Sequence, residues 1–225
     1  ITEVGEGYVQ TSEETKVPTT GWRYLINQTQ IVSLNDIAER GFIESNNMYS
    51  ITIVGISLVV SGQTGNGRCA LAFFGNGYSK VTHCIFVGNQ GILSTGNNLH
   101  TCAYNYMHCY YIGVQIAYGA RGGISRTVFT GTPAVCVIHN GGGQSFLTYN
   151  YLKTTHASGK AIKTDMTTDS SNLVSCYIDS SCTYGAYGYN ITLVSCTNNA
   201  ATPVYHLTSG GSIKEWDGQA LPSID

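Results

Sequence analysis

The 225-residue chain holds 13 acidic and 11 basic residues, so only 11% of it is charged, against roughly a quarter in an ordinary soluble domain. Ser, Thr, Asn and 27 Gly supply the polar surface instead, and 42% apolar residues suffice for one large core, which excludes disorder, collagen and coiled coil. No apolar run reaches the roughly 18 residues a bilayer span needs, and the strongest, 51–60, is broken by Thr, Gly and Ser, so membrane insertion is not expected.

The charges are unevenly placed. Residues 1–45 hold seven acids against Lys16, Arg23 and Arg40, while residues 46–213 hold only Asp165, Asp169 and Asp179 against Arg68, Lys80, Arg121, Arg126, Lys153, Lys160 and Lys163. The chain starts at Ile without a charged-then-apolar leader, which reads as a fragment of something longer. In the acidic head, residues 35–41 read as a short helix: Asn35 or Asp36 accepts the free N–H groups at its start, and Gly41 supplies the exit. Such a helix would cap the open N-terminal end of a stacked body.

The body of the chain is repetitive. An apolar residue, two polar or small residues, an inward-sized residue, a spacer and a larger apolar residue recur at 53–58, 81–86, 99–104, 124–129, 146–151, 173–178 and 191–196. From the second copy on, another strand-like run trails each start, at 91–96, 113–118, 134–139, 160–165, 185–189 and 204–209. Short strands at this period, with loops absorbing the variable length and no 3.6-residue periodicity, predict an all-β fold: a right-handed parallel β-helix of about seven to eight rungs. The expected organisation is a capping and connecting segment over 1–45, the β-helix over 46–213 and an exit segment over 214–225.

Stacking the copies predicts one interior column of Ile56, Cys84, Cys102, Thr127, Tyr149, Cys176 and Val194, and another of Leu58, Phe86, Tyr104, Phe129, Tyr151, Ile178 and Cys196. The eight Cys form no CxxC and no zinc-like spacing with His. They read as free buried thiols acting as small hydrophobes, with neither metal nor cofactor expected.

Three carboxylates leave little material for acid–base chemistry, since glycoside cleavage normally needs two. Asp165 and Asp169 lie close in sequence, and aligning the trailing strands stacks Tyr118, His139 and Asp165 on successive rungs, so Asp165, Asp169 and His139 form the candidate catalytic set. Tyr118, Arg121, Arg126, Lys163 and Asp179 are the candidate ligand-binding residues: tyrosines cover the C–H faces of sugars, and cations suit uronic or sialic acids. An excess of four positive charges spread over 46–213, without a basic stripe, excludes nucleic acid as a partner.

Low charge, abundant Tyr, Gly and Asn, irregular rungs and buried Cys resemble the pectate-lyase-like β-helices of bacteriophage tailspike and tail-fibre proteins. The resemblance covers 46–213 and is one of architecture and composition. It implies a homotrimer made in the host cytoplasm and carried on the virion. It also implies binding to bacterial surface polysaccharide, O-antigen or capsule, with depolymerase action as a further activity. Two other classes fit the same sequence: an inactive β-helical shaft, and a secreted monomeric polysaccharide lyase.

Overall fold

Runs rich in Val, Ile, Thr and Tyr, each cut short by Gly, Asn or Ser, favour strands over helices. A computed structural model of the chain describes residues 2–3, 29–33, 41–46, 50–60, 69–75, 77–96, 98–207 and 213–216. Among these there is no helix, and the strands stack in parallel as a β-solenoid of about six turns. Among the described residues, the one antiparallel pairing joins Thr2–Glu3 to Thr29–Ser33.

Each coil lays one strand on each of three faces. The coil that begins at Asn98–Ala103 on the third face runs through Tyr106–Ala117, whose two halves lie on the first and second faces, and returns to the third at Arg121–Ser125. Val128–Gly131, Val135–Asn140 and Gln144–Thr148 repeat the circuit below it. The third face is an eight-stranded sheet of its own. The first and second count as one fifteen-stranded sheet because Ile85–Thr95 and Tyr106–Ala117 pass the corner unbroken.

Strand pairing aligns Val81, Cys102, Ile124, Leu147, Leu173 and Leu193 in one inward column. Leu58, Phe86, Met107, Phe129, Leu152 and Ile178 form a second. All twelve are buried, and each such side chain contributes about 1.5–3 kcal/mol when removed from water. These columns correct the register expected for three copies: Cys102, Leu147 and Leu193 stand where Leu99, Phe146 and Ile191 were aligned. A bulge at His100 inserts one residue into Asn98–Ala103, and Phe146 points to solvent with 53% of its surface exposed. Tyr104, Tyr149 and Tyr151 therefore leave the interior columns.

Inside the corner from the third face to the first, the column reads Ile56, Cys84, Asn105, Thr127, Asn150, Cys176 and Cys196. Here the thiols act as hydrogen-bond donors. Cys84 Sγ donates to the carbonyls of Thr82 (3.2 Å) and Ile53 (3.9 Å), and Cys176 Sγ to those of Val174 and Leu147, both at 3.6 Å. Thr127 Oγ1 makes the same pair of bonds to Ser125 and Cys102. Asn150 bridges two coils, its Oδ1 accepting from Thr127 N–H and its Nδ2 donating to the Ile124 carbonyl, both at 2.9 Å. No disulfide joins the eight cysteines, and burial pushes Cys84 up to about 11 and Cys102 and Cys109 up to about 12, which keeps these three as thiols.

The solenoid reaches further at both ends than the expected 46–213. Thr29–Ser33 pairs in parallel with Ile56–Val60, and Gly41–Asn46 with Cys69–Phe74, so strands replace a wholly non-repeating head. Ile213–Trp216 pairs with Ile191–Val194 and continues the third face into the expected exit segment. The helix expected over 35–41 falls outside the described residues except for Gly41, which opens a strand.

Candidate functional site

The outer side of the second face, in its C-terminal half, gathers a cluster of Lys and Tyr side chains. Lys160–Thr164, Tyr184–Gly188 and Thr202–His206 stack there with Lys160 over Tyr184 over Thr202 and Lys163 over Tyr187 over Tyr205. In each of the first two strands the two intervening residues are buried, so the first and fourth face out. Parallel pairing then turns one offset, repeated in three strands, into two outward columns.

The rings pack against one another. Tyr187 and Tyr205 stack at 4.8 Å with 5° between planes, and Tyr184 meets both edge-on at 5.3 and 5.5 Å. Lys160 Nζ sits 5.3 Å from the Tyr184 ring centre and 5.0 Å from that of Tyr187, and donates to the Ser158 carbonyl at 3.0 Å. Partial burial and the neighbouring Lys163 hold its ammonium below the usual lysine range, with Asp165 opposing them. Lys163 pairs with Asp165 at 2.5 Å. The result is a platform of three tyrosines, two ammonium groups and one carboxylate, able to cover an apolar sugar face while offering hydroxyl and charged contacts at its edge.

The expected catalytic set is not assembled. His139 aligns with Ile116 above and Thr164 below, so it points into the core while Asp165, one residue beyond Thr164, faces out. A period of two places consecutive residues on opposite sides. His139 is fully buried, and burial pushes it down to about 3. Its Nε2 meets Ser145 Oγ at 3.0 Å, Ser145 meets Ser171 at 2.9 Å, and its Nδ1 has no partner.

Asp169 is also fully buried, with four backbone N–H donors on its carboxylate: Gly142 (2.7 Å), Gly143 (2.9 Å), Asp165 (3.0 Å) and Met166 (2.9 Å). It braces two successive loops at the corner from the second face to the third, leaving no site for a substrate proton. Tyr118 does not stack on His139; it stands at that same corner, 72% exposed, with its N–H donated to the Asn140 carbonyl.

The other expected ligand contacts are dispersed round the coil. Arg121 is exposed at the start of a third-face strand, its N–H donated to Asn98 Oδ1. Arg126 stands at the corner between the third and first faces. Asp179 directly follows the first-face strand Tyr177–Ile178, where it accepts from Tyr151 (2.6 Å), Ser181 N–H (2.9 Å) and Ser181 Oγ (2.7 Å). Burial pushes its carboxyl up, but these bonds and Lys153 outweigh it and hold the group below the usual carboxylate value. Of the expected residues, only Lys163 and Asp165 join the platform. Lys160, Tyr184, Tyr187 and Tyr205 complete it, and the signal that marks them is the three-residue offset at 160/163, 184/187 and 202/205.

No family model matches the chain, and neither a curated protein nor a solved structure shows significant similarity to it.

Proposed function

We propose that this β-solenoid binds a bacterial surface polysaccharide, O-antigen or capsule, along the second face, as a receptor-binding element of the tailspike or tail-fibre kind. The observation that carries the reading is the outward-facing cluster of half-buried Tyr184 and Tyr187 and exposed Tyr205, edged by Lys160, Lys163 and Asp165. Stacked coils repeat such contacts at about 4.8 Å, a spacing suited to a polymer rather than to one small molecule. The same reading makes the working particle a homotrimer on a virion. It assigns binding, and not cleavage, to this face, because Asp165 is engaged by Lys163 while His139 and Asp169 are enclosed.

The test is a glycan array of bacterial O-antigens and capsules probed with the assembled protein, followed by Tyr187→Ala and Tyr205→Ala. Each substitution is expected to weaken binding about tenfold, the equivalent of about 1.4 kcal/mol. Polymer length and absorbance at 235 nm should stay constant during incubation. Absence of binding to every bacterial polysaccharide would end the proposal, and a monomeric mass by light scattering would remove its tailspike-type assembly.

A further inference from the structure

The corner from the third face to the first is turned, in each coil, by one residue in the left-handed region: Gly55 (φ 67°), His83 (57°), Tyr104 (56°), Arg126 (46°), Tyr149 (55°), Ser175 (51°) and Ser195 (49°). Glycine adopts this conformation freely, and a Cβ makes it unfavourable. The backbone asks nothing of the side chain here. Gly55 N–H reaches the Thr82 carbonyl of the next coil in the same way that His83 reaches Ala103, Tyr104 reaches Ser125, Arg126 reaches Thr148 and Tyr149 reaches Val174. Yet four successive coils carry large side chains at this strained position, and strain retained on an exposed edge points to a use.

Those four side chains form a ladder on the outside of the corner. His83 and Tyr104 stack at 5.0 Å with 14° between planes, and the Arg126 guanidinium lies 5.4 Å from the ring centres of both Tyr104 and Tyr149. Tyr149 is 59% exposed, and Arg126 is exposed beside it. The guanidinium is thus flanked by two rings at equal distance, and its N–H donors form a planar fork. No carboxylate or carbonyl among the described residues meets that fork. An exposed planar fork flanked by aromatic rings, with donors that no carboxylate or carbonyl occupies, is complementary to a planar, two-oxygen anion.

We infer that Arg126, clamped between Tyr104 and Tyr149, is a second binding site that reads the carboxylate of an acidic sugar, a uronic or sialic acid residue, on a glycan lying along this corner. The inference takes from the proposed function only that the ligand is a glycan. The corner lies across the coil from the second face, so the two sites can be tested apart.

The experiment follows the Arg126 Nε–H resonance, assigned by its loss in Arg126→Lys, while the protein is titrated with polygalacturonate, dextran sulfate and neutral dextran of matched length. A saturable shift with polygalacturonate alone is expected, and both Arg126→Lys and Arg126→Gly should bind it at least tenfold more weakly. Arg126→Gly should melt at or above the parent temperature, because glycine suits φ 46°. An unmoved resonance, or an equal shift with dextran sulfate, would overturn the assignment. So would an Arg126→Gly protein that melts lower but binds as before, since the ladder would then be structural. If Tyr187→Ala abolishes polygalacturonate binding and Arg126→Gly leaves it intact, this inference fails while the second-face reading stands. If the Arg126 shift persists in Tyr187→Ala, this inference stands by itself.

Discussion

The interior corner shows what single residues are selected for. Cys84, Thr127, Cys176 and Cys196 share one position and one task, donating to the carbonyl two residues back and to a carbonyl of the preceding coil. In these four coils a small donor, sulfur or oxygen, fills the position. Cys176→Thr should therefore be tolerated, and Cys176→Val should cost about 1 kcal/mol more than Thr in urea denaturation, the worth of a typical internal hydrogen bond. His139 illustrates the opposite case, a titratable group enclosed without a counter-charge. In the unfolded chain it takes up a proton below about pH 6.5, whereas in the fold it stays neutral down to about 3. Below pH 6.5 the unfolded state thus binds the extra proton, and stability falls with pH by up to about 1.4 kcal/mol per unit across that window. Urea midpoints measured from pH 6.5 to 4.5 should fall less steeply in His139→Gln.

At the scale of strands and turns, the solenoid depends on close approach between coils. Gly131 ends the strand Val128–Gly131 at φ 93°, and a Cβ there would overlap the carbonyl oxygen of Cys109 in the coil above. Gly131→Ala should destabilise the protein by about 2 kcal/mol or more in the same assay, because the obstacle is backbone and cannot step aside. The register errors of a linear reading belong to this scale too. The corner residue runs Gly, His, Tyr, Arg, Tyr, Ser, Ser down the stack, so no residue type announces the turn. At Leu99 the bulge, and at Phe146 an exposed aromatic, imitate the apolar start of the pattern. The Lys and Tyr platform was more legible than it first looks, because its offset recurs at 160/163, 184/187 and 202/205. Reading it requires knowing that those three strands share one face.

At the scale of the molecule, each coil contacts chiefly its neighbours, and among the described residues Thr202–His206 and Ile213–Trp216 each pair with a strand on one side alone. Amide exchange should be slowest in the middle coils, over Tyr106–Ala117 through Ser170–Val174, and faster in Thr202–His206 and Ile213–Trp216. Mass-resolved exchange of peptides spanning these strands checks the gradient, and uniform protection along the chain would contradict it. Sequence alone determined the all-β stacked architecture, because a repeated alternation of apolar and turn residues with almost no charge can bury its apolar side only against the next copy. Only the tertiary structure decided which chemistry-bearing residues share a surface. Inward and outward differ by a single residue, and His139 pairs with Thr164 rather than with Asp165, which puts His139 in the core and leaves Asp165 outside it. Residues dozens of positions apart, such as Lys160, Tyr184 and Tyr205, become neighbours through the pitch of the coil, a distance the linear sequence does not contain.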